Sequence, residues 1–253
     1  MSYDNLSGRT AVVTGAASGI GAAVALRLAA RGARVALLAR RADRLETVVE
    51  KIRAGGGQAL AVVADVTDDA SVRAAADAVH EAFATVDLVV NNAGVMLPHP
   101  VDDGRLDEWQ RMIDTNVTGV LRVLRAFTGD LVAAAAEGRT ADLVNVSSIG
   151  AHVVFPTYAV YGATKAAVTQ LSQVLRAEFG PRDVRVTNVE PGLTETELAD
   201  HIDSDELREQ IDGMLGTTGR LAAEDVADLV GYVTSRPRHV NLRQVVVLPT
   251  RQV

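Results

Sequence analysis

The chain has 253 residues, 48% of them hydrophobic, a net charge of −7 and no cysteine. This is enough apolar material for one large domain over residues 1–253, and it excludes disulfides, thiolate nucleophiles and cysteine-ligated zinc. The acidic balance argues against a nucleic-acid partner, and no stretch approaches the roughly 20 apolar residues of a membrane span. The five histidines have no metal-ligand spacing, and the N-terminus lacks a charged-then-apolar leader. The expectation is a soluble, cytoplasmic protein with no metal and no membrane partner.

Seven apolar runs bounded by turn residues read as strands: TAVVTG (10–15), ARVALLA (33–39), ALAVVAD (59–65), VDLVVNN (86–92), ADLVNVSS (141–148), VRVTNVEP (184–191) and QVVVLPT (244–250). Several are nearly continuous in Val, Leu and Ala, as strands covered on both faces should be. Between them, segments such as AAVALRLAAR and SVRAAADAVHEAF have the apolar spacing of helices packed on a sheet, and AAAAEG (133–138) reads as a helix end. The alternation predicts an α/β protein of the Rossmann-type, doubly wound class, with a seven-stranded parallel sheet and helices on both faces.

The first strand runs into TGAASGIG (14–21), which opens the first helix. Glycines at 15, 19 and 21 allow a tight turn, a close approach of backbone to a pyrophosphate and close helix-sheet packing. The spacing differs from GxGxxG, so the motif by itself also fits an ordinary glycine-rich turn. The second strand ends at Ala39 and is followed by Arg40 and Arg41, where an acid would bind the ribose hydroxyls of NAD. Arginine there pairs with a 2′-phosphate and stacks on adenine, which favours NADP(H). Asp65 ends the third strand, where its carboxylate can accept from the adenine amino group. NNAG (91–94) ends the fourth at the sheet edge where such ligands sit.

Next comes YAVYGATK (158–165), with two of the chain's four tyrosines and one of its two lysines; the other is Lys51. The ordered set TGAASGIG, Asp65-Val66, NNAG, Asn116 in DTNVTG, Ser148 in NVSS, Tyr161 and Lys165 in YGATK, and Pro191-Gly192 in EPG resembles the short-chain dehydrogenases/reductases in their compact, single-domain form. RMIDTN, VEPGLTETEL and PTRQV most resemble the branch holding clavaldehyde dehydrogenase and the NADP-linked serine or 3-hydroxy acid dehydrogenases. The resemblance spans the whole chain.

Hydride transfer between a nicotinamide and a carbonyl needs orientation, a proton and charge control at the reacting oxygen. Ser148 ends the fifth strand and can hold that oxygen, whereas Ser147 alternates to the other side. The resemblance selects the same serine. A tyrosine can protonate the developing alkoxide, and a nearby ammonium together with an oxidised nicotinamide is expected to lower its pKa. Tyr161 and Lys165 are i and i+4 on one helix face. Tyr158 lies seven residues before Lys165, about 10 Å along the axis, too far for a direct partner. Asn116 sits in a long helical segment where asparagine marks an irregularity; by resemblance it completes the set, its backbone holding a water on Lys165.

The cofactor contacts expected are Gly15, Ser18, Gly19, Ile20, Gly21, Arg40, Arg41, Asp65, Val66, Asn92, Ala93, Gly94, Tyr161 and Lys165. By resemblance Pro191, Gly192, Thr194 and Thr196 fold over the nicotinamide, with Thr194 departing from the aliphatic residue usual in many relatives. Substrate contacts are expected at Met96, His152, Val154, Phe155 and Tyr158, and a substrate lid over about 193–215. AHVVFPTY (151–158) carries no arginine, so a modestly apolar aldehyde or ketone is expected. Together these imply an NADP(H)-dependent carbonyl reductase or alcohol dehydrogenase with Tyr161 as general acid/base. A catalytically silent NADP-binding sensor or scaffold is the alternative. Relatives commonly assemble through the long helices after the fourth and fifth strands, which implies a homotetramer or homodimer.

Overall fold

A computed structural model describes residues 5–198, 202, 204, 208, 209, 213 and 216–252. The seven strands are β1 (Thr10–Thr14), β2 (Arg34–Ala39), β3 (Gln58–Val63), β4 (Leu88–Asn91), β5 (Ala141–Val146), β6 (Val184–Pro191) and β7 (Gln244–Val247). They form one parallel sheet in the order β3-β2-β1-β4-β5-β6-β7. Every strand expected from the sequence is present, with ends displaced by at most three residues. The order reverses between β1 and β4, which opens a crevice above their C-terminal ends.

Helices α1 (Gly19–Ala30), α2 (Ala42–Ala54) and α7 (Ala223–Thr234) bury one apolar layer against the sheet, built on Val24, Leu28, Val49 and Val230. On the other face, α3 (Asp69–Phe83), α5 (Gly119–Ala136) and α6 (Ala159–Phe179) bury Val79, Phe127, Leu131 and Leu175. Two buried layers explain why β1 and β4 are apolar throughout their middles. α3 starts where Asp68 caps it, its carboxylate accepting from Ala70 N–H at 3.0 Å. α5 ends at Ala136, followed by Gly138 at φ 79°, so AAAAEG is a helix end as expected.

The long helical segment around Asn116 is not one helix. α4 (Leu106–Ile113) passes into α5 through a π turn over Asp114–Thr118, closed by the Gly119 N–H donating to the Asp114 carbonyl. Such a turn inserts one residue into the helical ladder, and Asn116 lies at its centre.

The N-terminal edge of the sheet, opposite the crevice, is held by buried charges. Arg9 pairs with Asp87 (2.8 Å) and Asp142 (2.7 Å), Arg185 grips Asp142 with two bonds of 2.7 Å, and Arg139 reaches Asp87 at 3.0 Å. Both Arg9 and Arg185 also donate to the Thr234 carbonyl (3.2 and 3.0 Å), locking the end of α7 to β5 and β6. Burial nevertheless holds the Asp87 carboxyl above its ordinary pKa.

Candidate active site

The crevice floor begins at Thr14. Its hydroxyl accepts from the backbone N–H groups of Asn92 (3.0 Å) and Ala93 (3.1 Å), and Asn92 Nδ2 donates back to the Thr14 carbonyl at 3.0 Å. This stitches the loop after β1 to the loop after β4. Gly15 has φ 67°, and a Cβ there would stand 2.9 Å from Ala93 Cα; a Cβ on Gly21 would stand 2.3 Å from the Gly15 carbonyl oxygen. Only glycine lets the backbone fold this tightly beneath the first turn of α1, leaving amide donors and the positive dipole end facing open space. That cradle has the shape and polarity for a pyrophosphate.

At one end of the cradle, Arg41 Nη2 donates to Ser18 Oγ (2.7 Å) and to Glu197 Oε2 (2.9 Å), and Arg40 lies exposed on the same rim. Burial acts to raise the Asp65 pKa, but the amide and hydroxyl of Thr67 (2.8 and 2.7 Å), with Arg40 and Arg122 nearby, hold its carboxyl below the ordinary value. Asp65 therefore presents an ionised acceptor to the crevice.

At the other end stand Ser148, Tyr161 and Lys165. β5 stops at Val146 and the two serines after it part company. Ser147 Oγ donates to the Lys165 carbonyl (2.8 Å) and meets Thr169 Oγ1 at 2.9 Å, whereas Ser148 opens a short 3-10 turn, its hydroxyl accepting from Gly150 N–H at 3.0 Å. Lys165 Nζ donates to the Val146 carbonyl at 3.0 Å and lies 5.8 Å from the centre of the Tyr161 ring. Both residues are 7% exposed.

The electrostatics differ from the sequence expectation. Burial pushes the Tyr161 hydroxyl up to about 12, offset only in part by hydrogen bonding with Ser148. Burial also brings the Lys165 ammonium down to about 8. Desolvation, which periodicity does not encode, is the largest cause of both shifts.

α6 is held to the sheet by a polar rung. Asn91, Asn145 and Asn188 are register partners across β4, β5 and β6. Asn91 donates to Asn145 (2.9 Å), Asn145 to Ser172 on α6 (2.9 Å), and Asn188 to Thr169 (3.1 Å). These bonds fix the height and rotation of the helix that carries Tyr161 and Lys165. Asn116 clamps the third wall: its side chain accepts from Val95 N–H (2.8 Å) and donates to the Val95 carbonyl (2.9 Å) and to Thr164 Oγ1 (3.1 Å). Gly94 lies between them, since a Cβ there would stand 3.3 Å from Asn116 Oδ1 and 3.6 Å from Lys165 Nζ.

One cavity of about 760 Å³ joins these parts. Each of the expected cofactor contacts lines it except Gly21, which shapes the loop from behind. Of the expected substrate residues, Met96, Phe155 and Tyr158 line it; His152 and Val154 do not. Val154 is 90% exposed. His152 turns to the fully buried Glu190, its Nε2 2.9 Å from Oε1, because that carboxylate needs partners and also draws Thr169, Asn188 and Gln244. Tyr158 sits at the N-terminal boundary of α6, edge-on to both Phe155 (6.0 Å between centroids) and Tyr161 (6.3 Å). The preceding residue, Thr157, takes φ 73°, its carbonyl receiving the His99 N–H at 3.0 Å.

Residues 9–207 match the family model for short chain dehydrogenases. The chain belongs to that family. This short-chain dehydrogenase is 38% identical over 242 residues to sulfoacetaldehyde reductase 2 of Chromohalobacter salexigens, covering 95% of this chain and 94% of that one. It is 35% identical over 245 residues to serine 3-dehydrogenase of Agrobacterium fabrum, covering 96% and 94%. The closed form of a serine dehydrogenase complexed with NADP+ superposes with a TM-score of 0.87 at 30% identity, over 96% of each chain. The protein is accordingly a dehydrogenase/reductase acting on substrates of the alcohol or aldehyde type.

Several residues that line this short-chain dehydrogenase's cavity are not among the site residues expected from the sequence. Gln252 packs on Gly192 and its Oε1 accepts from Leu193 N–H at 2.9 Å, while Arg111, Arg220 and Glu197 also line the cavity. Arg111, Glu197 and Gln252 fall within RMIDTN, VEPGLTETEL and PTRQV, but nothing local in those segments assigns them a contact, and Arg220 lies in no motif. Arg111 and Thr115 are i and i+4 across the α4 boundary, a spacing that becomes informative only once that face is known to meet the crevice. Of the stretch 193–215 expected as a lid, residues 199–201, 203, 205–207, 210–212, 214 and 215 lie outside the described residues.

Proposed function

We propose that the protein is an NADP(H)-dependent oxidoreductase that moves a hydride between the nicotinamide and a small to medium aldehyde or ketone, or the corresponding alcohol. The observation that carries this reading is the meeting of Ser148, Tyr161 and Lys165 at one end of a cavity whose other end is a glycine cradle rimmed by Arg40 and Arg41. The glycines leave no side chain where a pyrophosphate must lie, and the arginines supply the charge a 2′-phosphate requires. The bound nicotinamide supplies the hydride, or takes it up in the reverse direction.

The remaining work falls to the protein. Ser148 donates to the carbonyl oxygen and orients it. Tyr161, held protonated by burial, gives its proton to that oxygen as charge develops. Lys165, in its ammonium form, stabilises the tyrosinate left behind and binds the ribose hydroxyls; a planar guanidinium would fit neither task as well. Asn116 keeps the loop after β4 against α6, so the walls stay in register, and its backbone carries the water through which Lys165 reaches solvent. Pro191, Gly192, Thr194 and Thr196 cover the nicotinamide end. In the oxidation direction the same groups act in reverse.

Met96, Phe155 and Tyr158 make an apolar wall, while Arg111 and Arg220 bring positive charge that the loop 151–158 lacks. Relatives named for sulfoacetaldehyde and serine support a small polar carbonyl. Leu121 on α5 and Val174 on α6 expose 43% and 45% of their surface, and Val246 on edge strand β7 exposes 45%. The family resemblance adds to this reading a homotetramer or homodimer assembled through α5 and α6.

The test is NADPH consumption by the purified protein against a panel of aldehydes and ketones that includes sulfoacetaldehyde, with serine as an alcohol in the reverse direction. Turnover with at least one carbonyl is expected. Tight NADPH binding with no turnover on any of them would instead favour a silent cofactor-binding protein. Arg40→Asp should shift the NADPH to NADH preference towards NADH, and an unchanged ratio would remove the arginine argument.

A further inference from the structure

The arginines that rim the cradle already hold an anion, and it belongs to the protein. Glu197, five residues beyond Gly192, places Oε2 2.9 Å from Arg41 Nη2 and Oε1 3.8 Å from Arg44 Nη1. Hydrogen bonding from Arg41 holds the Glu197 carboxyl below its ordinary pKa, so it is ionised at neutral pH. Its position is built rather than incidental. The preceding residue, Thr196, packs directly over Gly19, where a Cβ would stand 3.2 Å from Thr196 Cβ, and Glu197 thereby meets the rim of α1 and α2 together. The Arg41 nitrogen that Glu197 uses is also the one bound to Ser18 Oγ at 2.7 Å. Arg40, the neighbouring rim arginine, faces Asp65 instead.

A carboxylate on a guanidinium is a chemical stand-in for a phosphate oxygen, since both accept from the same donor fork. We infer that Glu197 is a cofactor-specificity residue: an internal anion that occupies Arg41 and Arg44 and competes with the adenosine 2′-phosphate, lowering the preference for NADP(H) that the arginines alone would give. This rests on the proposed NADP(H) reading. A ligand with a 2′-phosphate must displace the carboxylate or sit beside it, and either costs affinity. A ligand lacking the phosphate leaves the pair intact and is indifferent to it.

The experiment compares wild type with Glu197→Gln, which keeps size and hydrogen bonding but removes the charge, and with Glu197→Asp, which keeps the charge on a shorter arm. NADPH and NADH are titrated by nucleotide fluorescence, and 2′,5′-ADP and 5′-AMP by calorimetry. Glu197→Gln should tighten NADPH and 2′,5′-ADP by about two- to fivefold, the scale of an exposed ion pair. NADH and 5′-AMP should be unchanged, Glu197→Asp should lie between, and the gain should fade at roughly 1 M salt. Equal changes for ligands with and without the 2′-phosphate would overturn the inference. So would weaker NADPH binding by Glu197→Gln, because Glu197 would then be holding Arg41 ready for the phosphate. Wild-type protein that binds no NADPH would instead overturn the cofactor reading beneath it.

Discussion

Lys165 and Tyr161 stand one helical turn apart, yet the lysine's ammonium is committed first to the Val146 carbonyl at 3.0 Å and lies 5.8 Å from the centre of the tyrosine ring. Burial drives their pKa values apart, the tyrosine up to about 12 and the lysine down to about 8. The protein alone thus holds a protonated phenol beside an amine whose charge is readily lost. This suits a proton donor in carbonyl reduction.

Tyr161→Phe should lower kcat for carbonyl reduction by about 10²- to 10⁴-fold, the range expected for loss of a general acid. NADPH affinity should be retained, because the ring stays in place. Tyr158→Phe should keep most of the turnover, since it lies seven residues before Lys165, about 10 Å lower along the helix axis. Steady-state rates on one responsive carbonyl, with parallel NADPH titrations, decide the matter. Two variants that behaved alike would refute the assignment.

The lowered Lys165 pKa carries a stability signature with a definite sign. Between about 8 and the ordinary lysine value of 10.5, the unfolded chain binds more protons at this position than the folded protein does. The folded state therefore gains stability from Lys165 as pH rises through that window, and the gain is absent below it. Urea unfolding of cofactor-free wild type and Lys165→Met isolates the effect, because their other groups cancel. The stability of wild type relative to the variant should climb from pH 8 upwards; a fall would contradict the burial of the amine.

Gly21→Ala opposes two effects. Alanine is the better helix former by about 1 kcal/mol, but its Cβ would stand 2.3 Å from the Gly15 carbonyl oxygen and 2.5 Å from Asn92 Nδ2. The contact is with backbone and with a side chain bound to the Thr14 carbonyl, so the loop must open. NADPH affinity should fall at least about tenfold, matching the lower half of overpacking costs. Unchanged affinity in a fluorescence titration would mean that the cradle tolerates rearrangement.

Arg9→Met removes one of the two arginine partners of each of the buried carboxylates Asp87 and Asp142, at the sheet edge farthest from the crevice. Breaking a buried pair from one side typically costs about 3–5 kcal/mol. The urea midpoint should drop accordingly while turnover per folded molecule holds. A loss below about 1 kcal/mol would show that Arg185 and Arg139 compensate for Arg9, as in an exposed pair.

Much of this protein is written locally. Apolar runs mark all seven strands, and several are nearly continuous in Val, Leu and Ala because a strand covered on both faces is apolar along its length. TGAASGIG marks the cradle because its turn and close contacts tolerate only hydrogen at the α-carbon. The i, i+4 spacing separates Tyr161 from Tyr158, and an asparagine inside a helical run marks the π turn at 114–118. Tertiary structure alone decided the rest. His152 left the substrate wall for Glu190, 38 residues away, since a buried carboxylate takes whatever partner the fold delivers. Gln252 reached Leu193 across 59 residues, and Glu197 reached Arg41 across 156. Contacts at such separations impose no period on the chain, and desolvation, which sets the ionisation of Tyr161 and Lys165, depends on everything packed around them rather than on their neighbours in sequence.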